Sequence, residues 1–178
     1  MCVEHPDTML ASVVAEYAPA VTIECGPPGS PAVEDEVAAF LEAMLSGDAA
    51  HTPSMLFEPP PVLRTVATVR VPEGVSFAVD DDDAELSLLP DLDAHNFQLM
   101  PPGTPVARVR DDSPARLEVL DERGRDVSDR YFRRSNGHLV TVDAIMPSLL
   151  TLNERIIRQD CLCYVMEPLD ETAATRAD

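Results

Sequence analysis

The chain has 178 residues, and its 32 acidic side chains face only 13 basic ones, all arginine, for a formal net charge of −19. No apolar run approaches the roughly 18 residues a membrane-spanning helix needs, and the opening MCVEHPD has no basic start and no apolar stretch of the secretory kind, so a cytoplasmic protein with no membrane partner is expected. Repulsion from phosphates argues against nucleic acid as a partner, and self-repulsion of this size points to folding in a salt-rich cytoplasm, where the charges are screened.

In chain order, Asp7 is a helix cap, and Leu10, Val13, Val14 and Tyr17 follow at helical spacing until Pro19 stops the helix. Val21, Ile23 and Cys25 then alternate with Thr22 and Glu24, a short strand of the kind covered by helices. Gly26 and Gly29 allow a tight turn, Ser30 caps the next helix and Pro31 opens it. Val33, Val37, Phe40, Leu41 and Met44 form its apolar stripe, and it ends at Ser46 and Gly47. One strand cannot make a sheet, so this helix, strand and helix read as part of a larger α/β layer.

Residues 49–61 are Pro-rich and read as an ordered linker. Beyond them helical periodicity gives way to short strand candidates: Leu63–Val71, Val75–Val79, Glu85–Leu89, Val106–Val109, Arg116–Val119, Tyr131–Arg134, His138–Val142 and Asp160–Met166. The phrase LMPPGTPVARV is a turn that delivers the chain into a strand, and SNGH at Ser135–His138 is a hairpin turn. The acidic runs at Asp80–Asp83, Arg110–Asp112 and Leu120–Asp126 fit solvated turns. NERIIRQD at Asn153–Asp160 reads as a helical turn in which Glu154 and Arg158, four apart, form an exposed pair. The expected organisation is an α/β piece over 1–48, the linker, a small, mostly antiparallel β domain over 62–168, and a frayed tail over 169–178.

Cys161 and Cys163 lie two apart in an apolar run, Cys2 and Cys25 are remote from them, and no second pair completes a zinc framework. They read as buried free thiols in a reducing compartment.

TIECG at Thr22–Gly26, the acidic helix after it, then Asn96-Phe97 and Pro102-Gly103-Thr104-Pro105 ahead of a hairpin-rich β segment, together resemble the C-terminal half of the succinylglutamate desuccinylase/aspartoacylase family. The resemblance implies a remnant of a zinc-carboxypeptidase-like α/β domain, helix, strand and helix, followed by a small β domain. It implies zinc-dependent hydrolysis of a small N-acyl amino acid, with Glu24 as the general acid/base that takes a proton from zinc-activated water and hands it to the leaving amine. Arg155, whose planar fork suits a carboxylate, and Tyr131 are the candidate substrate-binding residues. The chain departs from the family at its metal site. None of His5, His51, His95 and His138 begins the family's H-x-x-E, and Leu149 and Leu150 stand where an aromatic hydroxyl is usual. Zinc is therefore expected for the complete family member and not for this chain alone, which would be inactive unless a partner chain supplied the ligands. The residues alone also admit other readings: Glu24 paired with an arginine or capping its turn, Arg155 in a surface ion pair, and the whole as a non-catalytic binding or regulatory β module or one subunit of a split deacylase.

Overall fold

The computed structural model describes residues 2–3, 13–14, 16–17, 31–46 and 63–168. Glu24 and its expected strand, His5, His51, Cys25, the linker and the 169–178 tail lie outside them. The chain divides into two compact units, Pro6–Pro60 and Met1–His5 with Pro61–Asp178.

In the Pro6–Pro60 unit, Val13 and Val14 are helical and the Tyr17 N–H donates to the Val14 carbonyl. Helix α1 runs Pro31–Ser46. It opens on the expected proline, whose missing N–H costs nothing in a first turn, and Glu34 sits favourably in that turn. Phe40, Leu41 and Leu45 are exposed.

The other unit is mostly β-sheet with a few short helices. Its strands are β1 (Cys2–Val3), β2 (Leu63–Arg70), β3 (Phe77–Val79), β4 (Leu86–Leu88), β5 (Pro105–Val109), β6 (Glu118–Asp121), β7 (Phe132–Ser135), β8 (His138–Thr141), β9 (Met146–Ser148) and β10 (Cys163–Pro168). A 3-10 turn occupies Leu92–His95, and α2 (Ser128–Tyr131) and α3 (Glu154–Gln159) are one to two turns long. The first sheet has the order β1-β2-β10-β9, with β6 also on β2; the second has the order β3-β4-β5-β8-β7. Pairing is antiparallel except for β1 with β2 and β3 with β4.

Both sheets contribute to one core. Ala67, Val69, Val119, Cys163 and Val165 of the first meet Leu86, Leu88, Ala107, Val109 and Leu139 of the second in a single buried cluster. Each fully buried leucine or valine there contributes about 1.5–3 kcal/mol relative to exposure. Strand alternation supplies this face directly: in β2, Ala67 and Val69 point inward while Arg64 and Arg70 are exposed.

Local sequence explains most boundaries. Asn136 and Gly137 take φ of 49° and 76°, the primed hairpin geometry that their types favour, and they join β7 to β8. Gly103, at φ 85°, lets the chain turn so that its N–H reaches the Thr141 carbonyl at 2.8 Å, and Thr104 Oγ1 closes on the Pro101 carbonyl at 2.6 Å before β5 begins.

Several boundaries differ from expectation. Arg116 and Leu117 precede the strand, which starts at Glu118, because Ser113 holds the approach as a turn, its Oγ accepting from Ala115 N. Residues 160–162 are likewise a connector, with Leu162 N bonded to the Val69 carbonyl. Tyr131 ends α2 and does not start β7. The strand β9 has no counterpart in the sequence reading, since a central proline argues against a strand. Pro147 fits because its carbonyl is turned away from β10 to accept from Phe97 N at 2.7 Å; its ring therefore displaces no ladder bond. Glu154 and Arg158 form no ion pair. Arg158 crosses instead to β3, donating to the Val75 carbonyl at 2.6 Å and stacking over the Phe77 ring at 4.3 Å, where an aromatic face outcompetes an exposed carboxylate.

Candidate functional site

The β unit places the two candidate substrate residues at opposite edges of its second sheet. Arg155 is exposed on the first turn of α3, which packs on β3. That turn is fixed by Asn153, whose side-chain oxygen accepts from the N–H groups of Arg155 and Ile156. Tyr131 is only 4% exposed and leads into β7, the other edge. Its carbonyl accepts from Val142 N, burial pushes its phenol pKa up, and the Arg130 guanidinium lies 5.1 Å from its ring centre. The fold thus leaves Arg155 free to meet a solute and commits most of Tyr131 to packing.

The paired motif of the β segment is built into the framework. Asn96 forms two 2.7 Å hydrogen bonds with one residue: Nδ2 donates to the Leu150 carbonyl and Oδ1 accepts from Leu150 N. Phe97 N reaches Pro147, and Met100 exchanges both backbone bonds with Ile145. This clamp holds Phe97 and Leu149 in the left-handed region, at φ of 55° and 49°, as residues 54% and 44% exposed. Bulky residues rarely accept that backbone unless their surroundings over-determine it.

Metal-ligand chemistry is sparse. Among the described residues no group of three or more His, Cys, Asp or Glu is placed to hold a metal ion. His95 closes the 3-10 turn, and His138 is half-buried on β8 with Nδ1 3.0 Å from the Asn136 carbonyl. The described residues therefore do not fit a zinc site, and no catalytic step is assigned to a metal on them.

Cys161 and Cys163 are buried free thiols, as expected. Burial, reinforced by Asp160, pushes the Cys161 thiol up to about 11, and burial pushes Cys163 up as well. Thiolates are the reactive form. In a Cys2→Ser/Cys25→Ser background, a thiol reagent at pH 8 should label the folded protein far more slowly than the unfolded chain; equal rates would show that these thiols are accessible.

Among the described residues, the most perturbed carboxylate is Asp126, held down to about 2 by the hydroxyl and N–H of Ser128 and by Arg116 at 2.7 Å. Ser128 Oγ in turn accepts from Val119 N, so Asp126 organises the junction between β6 and α2. A depressed folded-state pKa means stabilisation present above the ordinary aspartate pKa of about 3.9 and lost as pH falls toward 2. Asp126→Asn should flatten the stability profile between pH 4 and 2 relative to the unsubstituted protein; superimposable slopes would contradict this.

Next to this junction an open groove of about 240 Å³ runs between β7 and the segment Pro114–Leu117, with Arg116, Arg133 and Arg134 on its walls. In the sequence Arg133 and Arg134 read foremost as the end of a strand before the Ser135-Asn136-Gly137 turn and alternatively as the mouth of a pocket, and in the structure they do both. The groove's signal in the sequence is six arginines against five acids within residues 116–134 of a strongly acidic chain.

No helix among the described residues is long and apolar enough to cross a membrane. Comparison with protein-family models, curated proteins and solved structures finds no match to this chain.

Proposed function

We propose that this chain is the C-terminal half of a cytoplasmic deacylase of the succinylglutamate desuccinylase/aspartoacylase type, carrying the general acid/base Glu24 and the β domain but not the metal ligands. The observation that carries the reading is the ordered set TIECG, Asn96-Phe97 and Pro102-Gly103-Thr104-Pro105 within one chain. It is supported by what the last two do. Asn96 locks two loops together and Gly103 turns the chain into β5, roles that explain why those residue types stand at those positions.

In this reading Glu24 accepts a proton from the attacking water and delivers it to the departing amine. Zinc, held by residues outside this chain, would supply the activated water and polarise the acyl carbonyl. Arg155, exposed and without an ion pair among the described residues, is the group suited to a substrate carboxylate. The burial of Tyr131 limits it to shaping the surroundings of its own hydroxyl. The substrate class is a small N-acyl amino acid, and the metal ligands arrive on a partner chain or on a continuous upstream segment.

Alone, the chain should bind less than one zinc per molecule and show no amide deacylation of N-acetylaspartate or N-succinylglutamate. Tight one-to-one zinc with a defined coordination shell would overturn the assignment of the ligands to another segment. The genomic DNA supplies the second arm. An H-x-x-E encoded in frame directly upstream, or in an adjacent gene, supports the deacylase reading, and Glu24→Gln in the completed enzyme should then lower kcat by about 10²-fold or more. Absence of H-x-x-E from both places favours the non-catalytic β module.

A further inference from the structure

The free edge of β7 offers what an added strand needs. Val142 N donates to Tyr131 O, and β7 pairs with β8 in the register Phe132↔Thr141 through Ser135↔His138. Backbone groups alternate in direction along a strand, so those of Arg133 and Ser135 face β8 while those of Phe132 and Arg134 face away. The Phe132 N–H is taken by the Ser128 carbonyl at the end of α2. The N–H and carbonyl of Arg134 and the carbonyl of Phe132 have no partner among the described residues, and they border the groove whose far wall is Pro114–Leu117.

The side chains define what could lie there. Successive residues of a strand point to opposite faces, so Arg133 and Arg134 put one guanidinium on each side of the edge. Arg134 donates to the Ser113 and Arg110 carbonyls at 2.7 and 3.1 Å and lies 3.9 Å from the fully exposed Asp111 carboxylate, a loose pair that an incoming carboxylate could replace, and Arg133 makes no hydrogen bond or ion pair with the described residues. The groove lining carries three arginines and one carboxylate, Asp129, in a chain of net charge −19, and Arg133 is the arginine of the three with no acidic partner among the described residues. Self-association through this edge would set the arginine pair of one copy against that of another, a like-charge arrangement that destabilises cross-strand pairing. An acidic strand meets the opposite condition.

We propose that the β7 edge is a binding site for an extended peptide segment of a partner protein, carrying carboxylates at two successive positions. Its backbone adds to Arg134, one carboxylate meets Arg133 and the next meets Arg134, and the flanking side chains lie along the Pro114–Leu117 wall. The site is independent of the deacylase reading. It holds whether or not Glu24 ever meets a metal.

The test uses the full chain at the lowest KCl concentration that keeps it folded, titrated with acetyl-Val-Glu-Asp-Val-amide and followed by amide NMR. Saturable binding with the largest shift at the Arg134 amide is expected. Arg133→Glu, an exposed substitution whose fold is checked by the dispersion of its amide spectrum, should weaken binding by about tenfold or more. The uncharged probe acetyl-Val-Gln-Asn-Val-amide should be weaker by a similar factor. Absence of saturation, shifts centred elsewhere, equal binding of the uncharged probe, unchanged affinity of Arg133→Glu, or a dimer formed through β7 in sedimentation would each overturn the proposal.

Discussion

Raising KCl from about 0.05 M to 2 M should raise the thermal unfolding midpoint by about 10 °C or more. Two effects of salt oppose each other. The arginines of the β unit make surface pairs, including Arg108 with Asp80 and Asp82, Arg110 with Asp112, Arg125 with Asp121 and Arg130 with Glu167, and screening weakens these. Such exposed pairs contribute about 0–1 kcal/mol each. Against them stands the repulsion among the excess acids, 32 − 13 = 19 charges. Two unscreened carboxylates 10 Å apart in water repel by about 0.4 kcal/mol, and dozens of such pairs outweigh the few attractive contacts. The screening length falls from about 30 Å at 0.01 M to about 3 Å at 1 M, so molar salt removes the longer-range terms. Several kcal/mol, at about 2–4 °C per kcal/mol for a chain of this size, gives the expected rise. A melt followed by circular dichroism at the two salt concentrations checks it; a flat or falling midpoint would mean that the ion pairs dominate.

Asn96→Ala should destabilise the β unit by about 2–4 kcal/mol. The substitution strands both backbone groups of Leu150, a residue 6% exposed, and an unpaired buried polar group costs about 1–3 kcal/mol. It also removes the clamp that opposes backbone strain at Phe97 and Leu149. Asn96→Asp should not rescue at neutral pH, because a carboxylate accepts from Leu150 N but faces the Leu150 carbonyl without a proton to offer. Leu149→Gly tests the strain separately. Its φ suits glycine and the residue is 44% exposed, so a gain of about 1 kcal/mol is expected. Urea unfolding of the three variants reads all these signs, and an Asn96→Ala loss below about 0.5 kcal/mol would show that Asn96 is dispensable to the fold.

The sequence reading located features that short-range chemistry determines. Asn136-Gly137 made a hairpin because those types tolerate left-handed backbone, and Pro31 opened α1 because a first turn has no use for its N–H. The strand candidate Leu63–Val71 became β2, and the apolar neighbourhood of Cys161 and Cys163 showed that both thiols are inside. The candidate site was less legible. Arg155 and Tyr131 are both polar, and nothing within about ten residues of either shows that one ends up exposed and the other packed.

What the chain determined by itself follows from interactions within a few residues: turn types, helix starts, the alternation of β2, and a charge that couples folding to salt. Partners distant in sequence were decided only by the tertiary structure. Asn96 finds Leu150 across 54 residues, Arg158 finds Val75 and Phe77 across about 80, and Pro147 becomes a strand residue because Phe97 meets the side it turns away from β10. These choices depend on which loops two sheets bring together when they close on one core, and local periodicity carries no term for that.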